Sequence, residues 1–127
     1  MAQSKKTKKS DIPLDKIRLI ADAILDKKAK DIKIFDISSL TLIADAFILC
    51  TATSEPQLKA VANSAREKVR EAGYDVLRVE GDHRCGWTVV DFGDVLLHIF
   101  RQQAREFYDL DRMWADAPEL ELFDNKD

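Results

Sequence analysis

Apolar residues recur along this chain with two periods, and the switches between them mark out its elements. Leu14, Ile17, Ala21, Ile24 and Leu25 follow helical spacing. Pro13 suits the first turn of that helix and Asp11 is placed to cap it. Lys27, Lys28 and Lys30 cluster at its far end, where cations suit the helix dipole. Ile32–Ile37 is short and β-branched, a first strand. Ser38–Asp45 is a polar interruption, and Ala46–Thr51 is apolar on both faces, as a central strand is. Ser54-Glu55-Pro56-Gln57 then starts a second helix, with Ser54 as cap and Gln57 completing a capping box. Leu58, Val61, Ala62, Ala65, Val69 and Ala72 form its apolar stripe, and Gly73 suits the position just past its end.

Val76–Glu80 predicts a third strand, and Trp87–Phe100 predicts a hairpin around Gly93. With Asp91 opposite Asp94, Trp87 faces His98 and Val89 faces Leu96 on one side of the hairpin. Thr88, Val90, Val95, Leu97 and Ile99 lie on the other side, which reads as core. Phe107, Leu110, Met113 and Trp114 suggest a closing helical segment.

The order α, β, β, α, β, β, β predicts an α/β fold: a small mixed sheet of about five strands with two main helices, ending in a short helical segment. The strands bridging the second helix suit a parallel crossover, and the last two must be antiparallel. Two helices cannot cover both sheet faces, so one face is expected to stay partly open and to carry Trp87. Residues 1–12 read as a disordered basic tail, 13–117 as the folded domain and 118–127 as a frayed acidic tail.

Charge and composition narrow the function. The 127 residues, 46% of them hydrophobic, fit one ordinary domain, and no apolar run reaches the length of a membrane span. No apolar segment follows the basic N-terminus, so it does not read as an export signal. Cys50 and Cys85 lie far apart, and free thiols in a reducing cytoplasm are the simplest expectation. The net charge of −3 becomes −6 once residues 1–11, with four lysines and Asp11, are set aside. An acidic body disfavours a phosphate-tracking surface and favours a basic protein partner, although it also serves solubility. The lysine cluster is the one segment suited to touch RNA.

Catalytic constellations are weak. Asp91-Phe92-Gly93 spells a kinase triplet, but a kinase's glycine-rich loop and catalytic loop are missing. His83, Cys85, His98 and Cys50 fit no zinc spacing. No metal or cofactor is expected. Trp87 and His98 on one face, with Val89 between them in the pattern, suit a partner surface. Arg105 and Tyr108 stand three residues apart beside the hairpin's exit and add two typical interface anchors; a salt bridge to Glu106 or Asp109 is the plainer role for Arg105.

The same residues carry a resemblance. Asp36–Thr41, Ala44–Ser54 and Gln57 resemble the first half of the ribosomal silencing factor family (RsfS, or Iojap-related). Glu80-Gly81, Trp87, Val90–Val95, His98–Phe100, Arg105, Phe107-Tyr108 and Leu110–Trp114 resemble its second half. The match covers roughly Leu14 to Ala117. The resemblance implies a nucleotidyltransferase-like α/β domain that is not an enzyme. It implies a translation repressor that binds the large ribosomal subunit at ribosomal large-subunit protein fourteen and blocks joining of the small subunit. It also places Trp87 toward the ribosomal contact, and Glu80 is a further candidate for partner binding. Two rival readings stay open: a nucleotide- or phosphate-handling enzyme using Asp36, Asp45 and magnesium, and a homodimeric module pairing through the open face. The enzyme reading lacks a Gly-Ser phosphate turn and a close carboxylate pair near Asp31, Asp36 and Asp45.

Overall fold

A computed structural model describes residues 12–121 apart from residue 83. Helix α1 spans Leu14–Asp26, strands β1 Lys30–Asp36 and β2 Ala46–Ala52, and helix α2 Glu55–Glu71. Strands β3 Arg78–Asp82, β4 Trp87–Asp91 and β5 Val95–Arg101 follow, then the short helices α3 Gln102–Tyr108 and α4 Leu110–Met113. Among the described residues the strands form one sheet in the order β1-β2-β5-β4-β3. The fold is the expected mixed α/β sheet, with one difference in its wiring. The parallel partner of β2 is β5, not β3. After α2 the chain reaches the far edge at β3, and two antiparallel turns bring it back to the centre. Strand order depends on contacts between distant segments, which local pattern does not encode.

One face of the sheet takes both long helices. Ile17, Ile20, Ala21, Ala23 and Ile24 of α1 and Leu58, Val61, Ala62, Ala65 and Val69 of α2 pack on Ile48, Cys50, Val90, Leu97 and Ile99. The α1 stripe differs from the expected one: Leu14 and Leu25 are exposed, and Ile20 and Ala23 take their places. Ala72 is exposed as well, since the chain leaves the helix there. The cap proposed at Asp11 lies outside the described residues.

Helix α2 starts as its sequence dictates. The Ser54 hydroxyl accepts from the Gln57 backbone N–H at 3.1 Å. The Gln57 side chain reaches back one residue further than a standard box, accepting from Thr53 N–H and Oγ1–H. Its amide nitrogen donates to the Lys27 and Lys28 carbonyls at 3.0 Å, so the start of α2 also closes the end of α1. Ser54→Ala should lower stability by about 1 kcal/mol in urea melts, because one N–H loses its acceptor; an unchanged midpoint would mean the cap contributes nothing. At the other end, Gly73 at φ +95° lets its own N–H reach Arg70 O and that of Tyr74 reach Val69 O, so the last carbonyls are paired.

The hairpin turn differs from the expected register by two residues. Phe92 N–H donates to Val95 O at 2.9 Å, leaving Gly93 and Asp94 as the turn. Trp87 therefore faces Phe100, and Val89 faces His98. A shift of two preserves the face of every side chain, so Thr88, Val90, Val95, Leu97 and Ile99 are all buried on the helix side. Lys16 of α1 holds the turn through Asp94 Oδ1 at 2.7 Å and Phe92 O at 3.2 Å.

The second face is less open than two helices would leave it. Helices α3 and α4 fold back over it, so that Phe35, Ile37, Phe47, Leu49, Phe100, Ala104 and Leu110 form a smaller second core. Asp109, at φ +52°, sits between the two helices and redirects the chain. Of the tail read as frayed from 118 on, residues 118–120 lie along the outer edge of β1. Asp36 N–H donates to Pro118 O at 2.8 Å, Leu120 N–H donates to Ile34 O at 2.7 Å, and Phe35 bridges Glu119. An otherwise open strand edge gains partners in this way. The basic tail over 1–11 and the chain end over 122–127 lie outside the described residues.

Candidate docking surface

Strand alternation puts Trp87, Val89, Leu96, His98 and Phe100 on the face away from the long helices, beside Phe47 and Leu49 of β2. Helices α3 and α4 bury Phe100, Leu49 and His98 and leave Trp87, Val89 and Leu96 half-buried. Tyr108 lies at the end of α3 with its ring centroid 4.5 Å from that of Trp87. Trp87 also stacks on Phe100 at 5.2 Å, and Phe107 meets Tyr108 edge-on at 5.0 Å. On the other side, Phe47 contacts His98 at 4.7 Å and Trp114 at 5.2 Å. The outcome is a band of aromatic side chains running from Phe107 through Trp87 to Trp114.

Of the six residues proposed from sequence, four stand on this surface. Trp87 and Tyr108 lie within the band, Val89 stands on the same face of β4 beside Trp87, and Glu80 stands opposite Val89 on edge strand β3. The Glu80 carboxylate is exposed and lies 3.3 Å from Arg78. The remaining two lie beneath it. His98 is only 5% exposed, and its Nδ1 accepts from the Trp87 indole N–H at 3.2 Å. That bond fixes the indole's tilt and requires an imidazole unprotonated at Nδ1. Burial pushes the His98 pKa down to about 4, consistent with a neutral ring. Its Nε2 is buried with no hydrogen-bond partner.

Arg105 is likewise buried, and its role is to brace the chain rather than to present a charge. Nε and Nη2 form a fork on the Asp111 carboxylate at 2.9 and 2.8 Å, while Nη1 donates to Asp31 O at 2.7 Å and Thr51 Oγ1 at 2.9 Å. The acid is therefore neither Glu106 nor Asp109. The Arg105 hydrogen bonds hold the Asp111 carboxyl below the usual range, against the opposing effect of burial. This clamp joins α3 to α4 and both to the ends of β1 and β2, and it supports the ledge on which Tyr108 sits.

Sequence reasoning passed over Phe107, Met113 and Trp114 as contact residues. Their spacing with Leu110 suggested a closing helical segment and no more; in it Phe107 is 80% exposed and Met113 67%, and of the four only Leu110 is buried. Two adjacent aromatics, Phe107-Tyr108, on a seven-residue helix were the available signal, since so short a helix buries one narrow face.

Of the thiol and histidine candidates, Cys50 and His98 are kept apart. Cys50 points into the helix-side core while its β5 neighbour across from Leu49, His98, points to the other face. Burial also pushes the Cys50 thiol up to about 12, so it stays protonated. Cys85 is exposed, and His83 lies outside the described residues. Asp31 and Asp36 occupy opposite ends of β1, and Asp36 Oδ1 accepts from Ser38 N–H and Oγ–H. No cluster of three His, Cys, Asp or Glu side chains suited to a metal occurs among the described residues. In the kinase-like triplet, Asp91 Oδ1 accepts from Gly93 N–H and so stiffens the turn. No described helix is long and apolar enough to cross a membrane.

His98 gives this surface a pH dependence. An unfolded histidine titrates near 6.5, so between pH 6.5 and 4 the unfolded chain binds the extra proton and the folded chain does not. Stability is full above pH 6.5 and falls as the pH drops toward 4, by up to about 3 kcal/mol. Urea midpoints measured across that window should fall in the natural protein, with a shallower fall in His98→Asn. Parallel slopes in both would contradict the assignment.

Known proteins supply the wider context. Residues 9–127 match the family described as "Ribosomal silencing factor during starvation". Ribosomal silencing factor RsfS of Halalkalibacterium halodurans is 36% identical over 106 residues, covering 84% of this chain and 91% of that protein. The chloroplastic protein Iojap of Arabidopsis thaliana is 36% identical over 104 residues, covering 81% of this chain and 43% of that longer protein. A crystal structure of a Chromobacterium violaceum protein superposes with a TM-score of 0.77 at 38% identity, over 80% of this chain and 85% of the other. One from Bacillus halodurans gives 0.75 at 31%, over 86% and 99%.

Proposed function

Since the chain belongs to the ribosomal silencing factor family, we propose that it represses translation by docking on the large ribosomal subunit. The partner is ribosomal large-subunit protein fourteen, and the bound domain occupies space that the small subunit needs on joining. Affinity and bulk suffice for this mechanism, and no step of it calls on a catalytic group. The observation that carries the proposal is the half-buried Trp87 indole, set by His98 within a band of aromatic side chains. Interfaces concentrate their binding energy in such aromatic anchors, and a standard one takes about 800 Å² from each partner.

Charge supports the same reading. A body with net charge −6, with Glu80 at the edge of the band, is matched to a basic protein surface. Association with isolated large-subunit protein fourteen should therefore slow as salt rises, because attraction between the two surfaces is screened beyond about 8–10 Å at physiological ionic strength. Stopped-flow association rates measured from low to physiological salt test this. Rates that do not change would leave apolar contact alone to guide the encounter. The rival homodimer would cover the same band and compete with the ribosome; light scattering with and without Trp87→Ala tests it, and an unchanged dimer mass would exclude this face as the self-contact.

A further inference from the structure

We propose that the cleft at the carboxyl ends of β2 and β5 binds a phosphate-bearing ligand of mononucleotide size. The two strands are parallel neighbours, and both end here, β2 at Ala52 and β5 at Arg101. In sheets with a parallel core, the crevice beyond the strand ends is where the chain diverges and where small ligands settle. The cleft has a volume of about 600 Å³, within the range of small-molecule sites. Lys30 and Arg101 line it together with Arg84, and among the described lining residues Asp31 is the one carboxylate. That excess of positive charge stands on an otherwise acidic body, where solubility alone would not gather it.

The walls are built before any ligand arrives. Gly86, at φ +80°, lies so close to the β5–α3 junction that a Cβ there would meet Ala104 Cβ and Arg101 Cβ at 3.3 Å. Its carbonyl accepts from Arg101 N–H at 2.8 Å, which holds the β3–β4 loop against the base of the cleft. Behind the opposite wall, Arg105 ties Asp31 O to the Thr51 hydroxyl. Arg101 and Lys30 have no ion-pair partner among the described residues. Phosphate is an anion that arginine and lysine side chains lining one cleft recognise. No pair of carboxylates suited to catalytic magnesium lines the cleft among the described residues, and the inference is of binding, not of phosphoryl transfer.

The test is calorimetric titration of the full chain with ATP, GDP, adenosine and inorganic phosphate. Saturable binding of at least one nucleotide, absent for adenosine and weakened about tenfold or more by Arg101→Ala and by Lys30→Ala, is expected. Exposed Cys85 lines the cleft and gives a second readout: the bound nucleotide should slow its labelling by iodoacetamide. No saturable binding up to about 1 mM, or affinity unchanged in both variants, would overturn the inference. So would a single-stranded RNA that binds more tightly than either nucleotide. The proposal is independent of ribosome docking, because neither variant alters the aromatic band; co-sedimentation of Arg101→Ala with large subunits reports on docking separately.

Discussion

Trp87→Ala is expected to remain folded and to lose at least about thirtyfold in affinity for large ribosomal subunits. A central interface aromatic loses more than about 2 kcal/mol of binding on truncation, which is a factor of roughly thirty. A fully buried tryptophan would instead remove about 3–5 kcal/mol of stability. Trp87 is half-buried, with one ring face on Phe100 and its N–H on His98, so the loss of stability should fall below that range. Tyr108→Ala should act in the same direction and more weakly, since that ring flanks the indole. Circular dichroism and gradient co-sedimentation on one preparation separate the cases. A protein that melts early would make Trp87 core, and one that is stable and binds normally would remove it from the surface.

Arg105→Ala should do the opposite, harming the fold first. The substitution leaves the Asp111 carboxylate, Asp31 O and Thr51 Oγ1 without the donors they share. Breaking a buried ion pair from one side typically costs about 3–5 kcal/mol. Asp111 keeps some contact with water, which places the expected loss near the lower end, about 3 kcal/mol. For a domain of this size that lowers Tm by roughly 10 °C. Arg105→Lys should recover little, because an ammonium cannot form the two-pronged bond to Asp111. The same bond implies a second acid-sensitive step: its stability is present above the ordinary carboxylate range near 3.8 and is lost as pH falls through the depressed Asp111 value. A melting temperature unchanged in Arg105→Ala would contradict the bracing role.

These two residues also show which parts of the site the sequence encodes plainly. Alternation with period two is local, so the hairpin's faces were readable, and they survived a two-residue error in its turn because a shift of two keeps parity. The α2 cap was readable for the same reason, since Ser54 and Gln57 act within one helical turn. Arg105 was not. Its partner lies six residues on, beyond a left-handed Asp109 that breaks the helix, and its other contacts come from β1 and β2. The closure of the second face was hidden likewise: α3 and α4 are too short to show a clear stripe, and they fold over the sheet only because Leu110 and Ala104 find Phe100, Leu49 and Phe47 there. His98 reads as a surface partner of Trp87 from pattern alone, and it becomes a buried support once these helices are in place.

The central claim is that the docked domain keeps the small subunit from joining. Purified large subunits, preincubated with the protein and then mixed with small subunits, report this directly through light scattering. The expected result is that joined particles decrease in proportion to bound protein, and that Trp87→Ala leaves joining unchanged. Undiminished joining on large subunits that carry the protein would contradict the account.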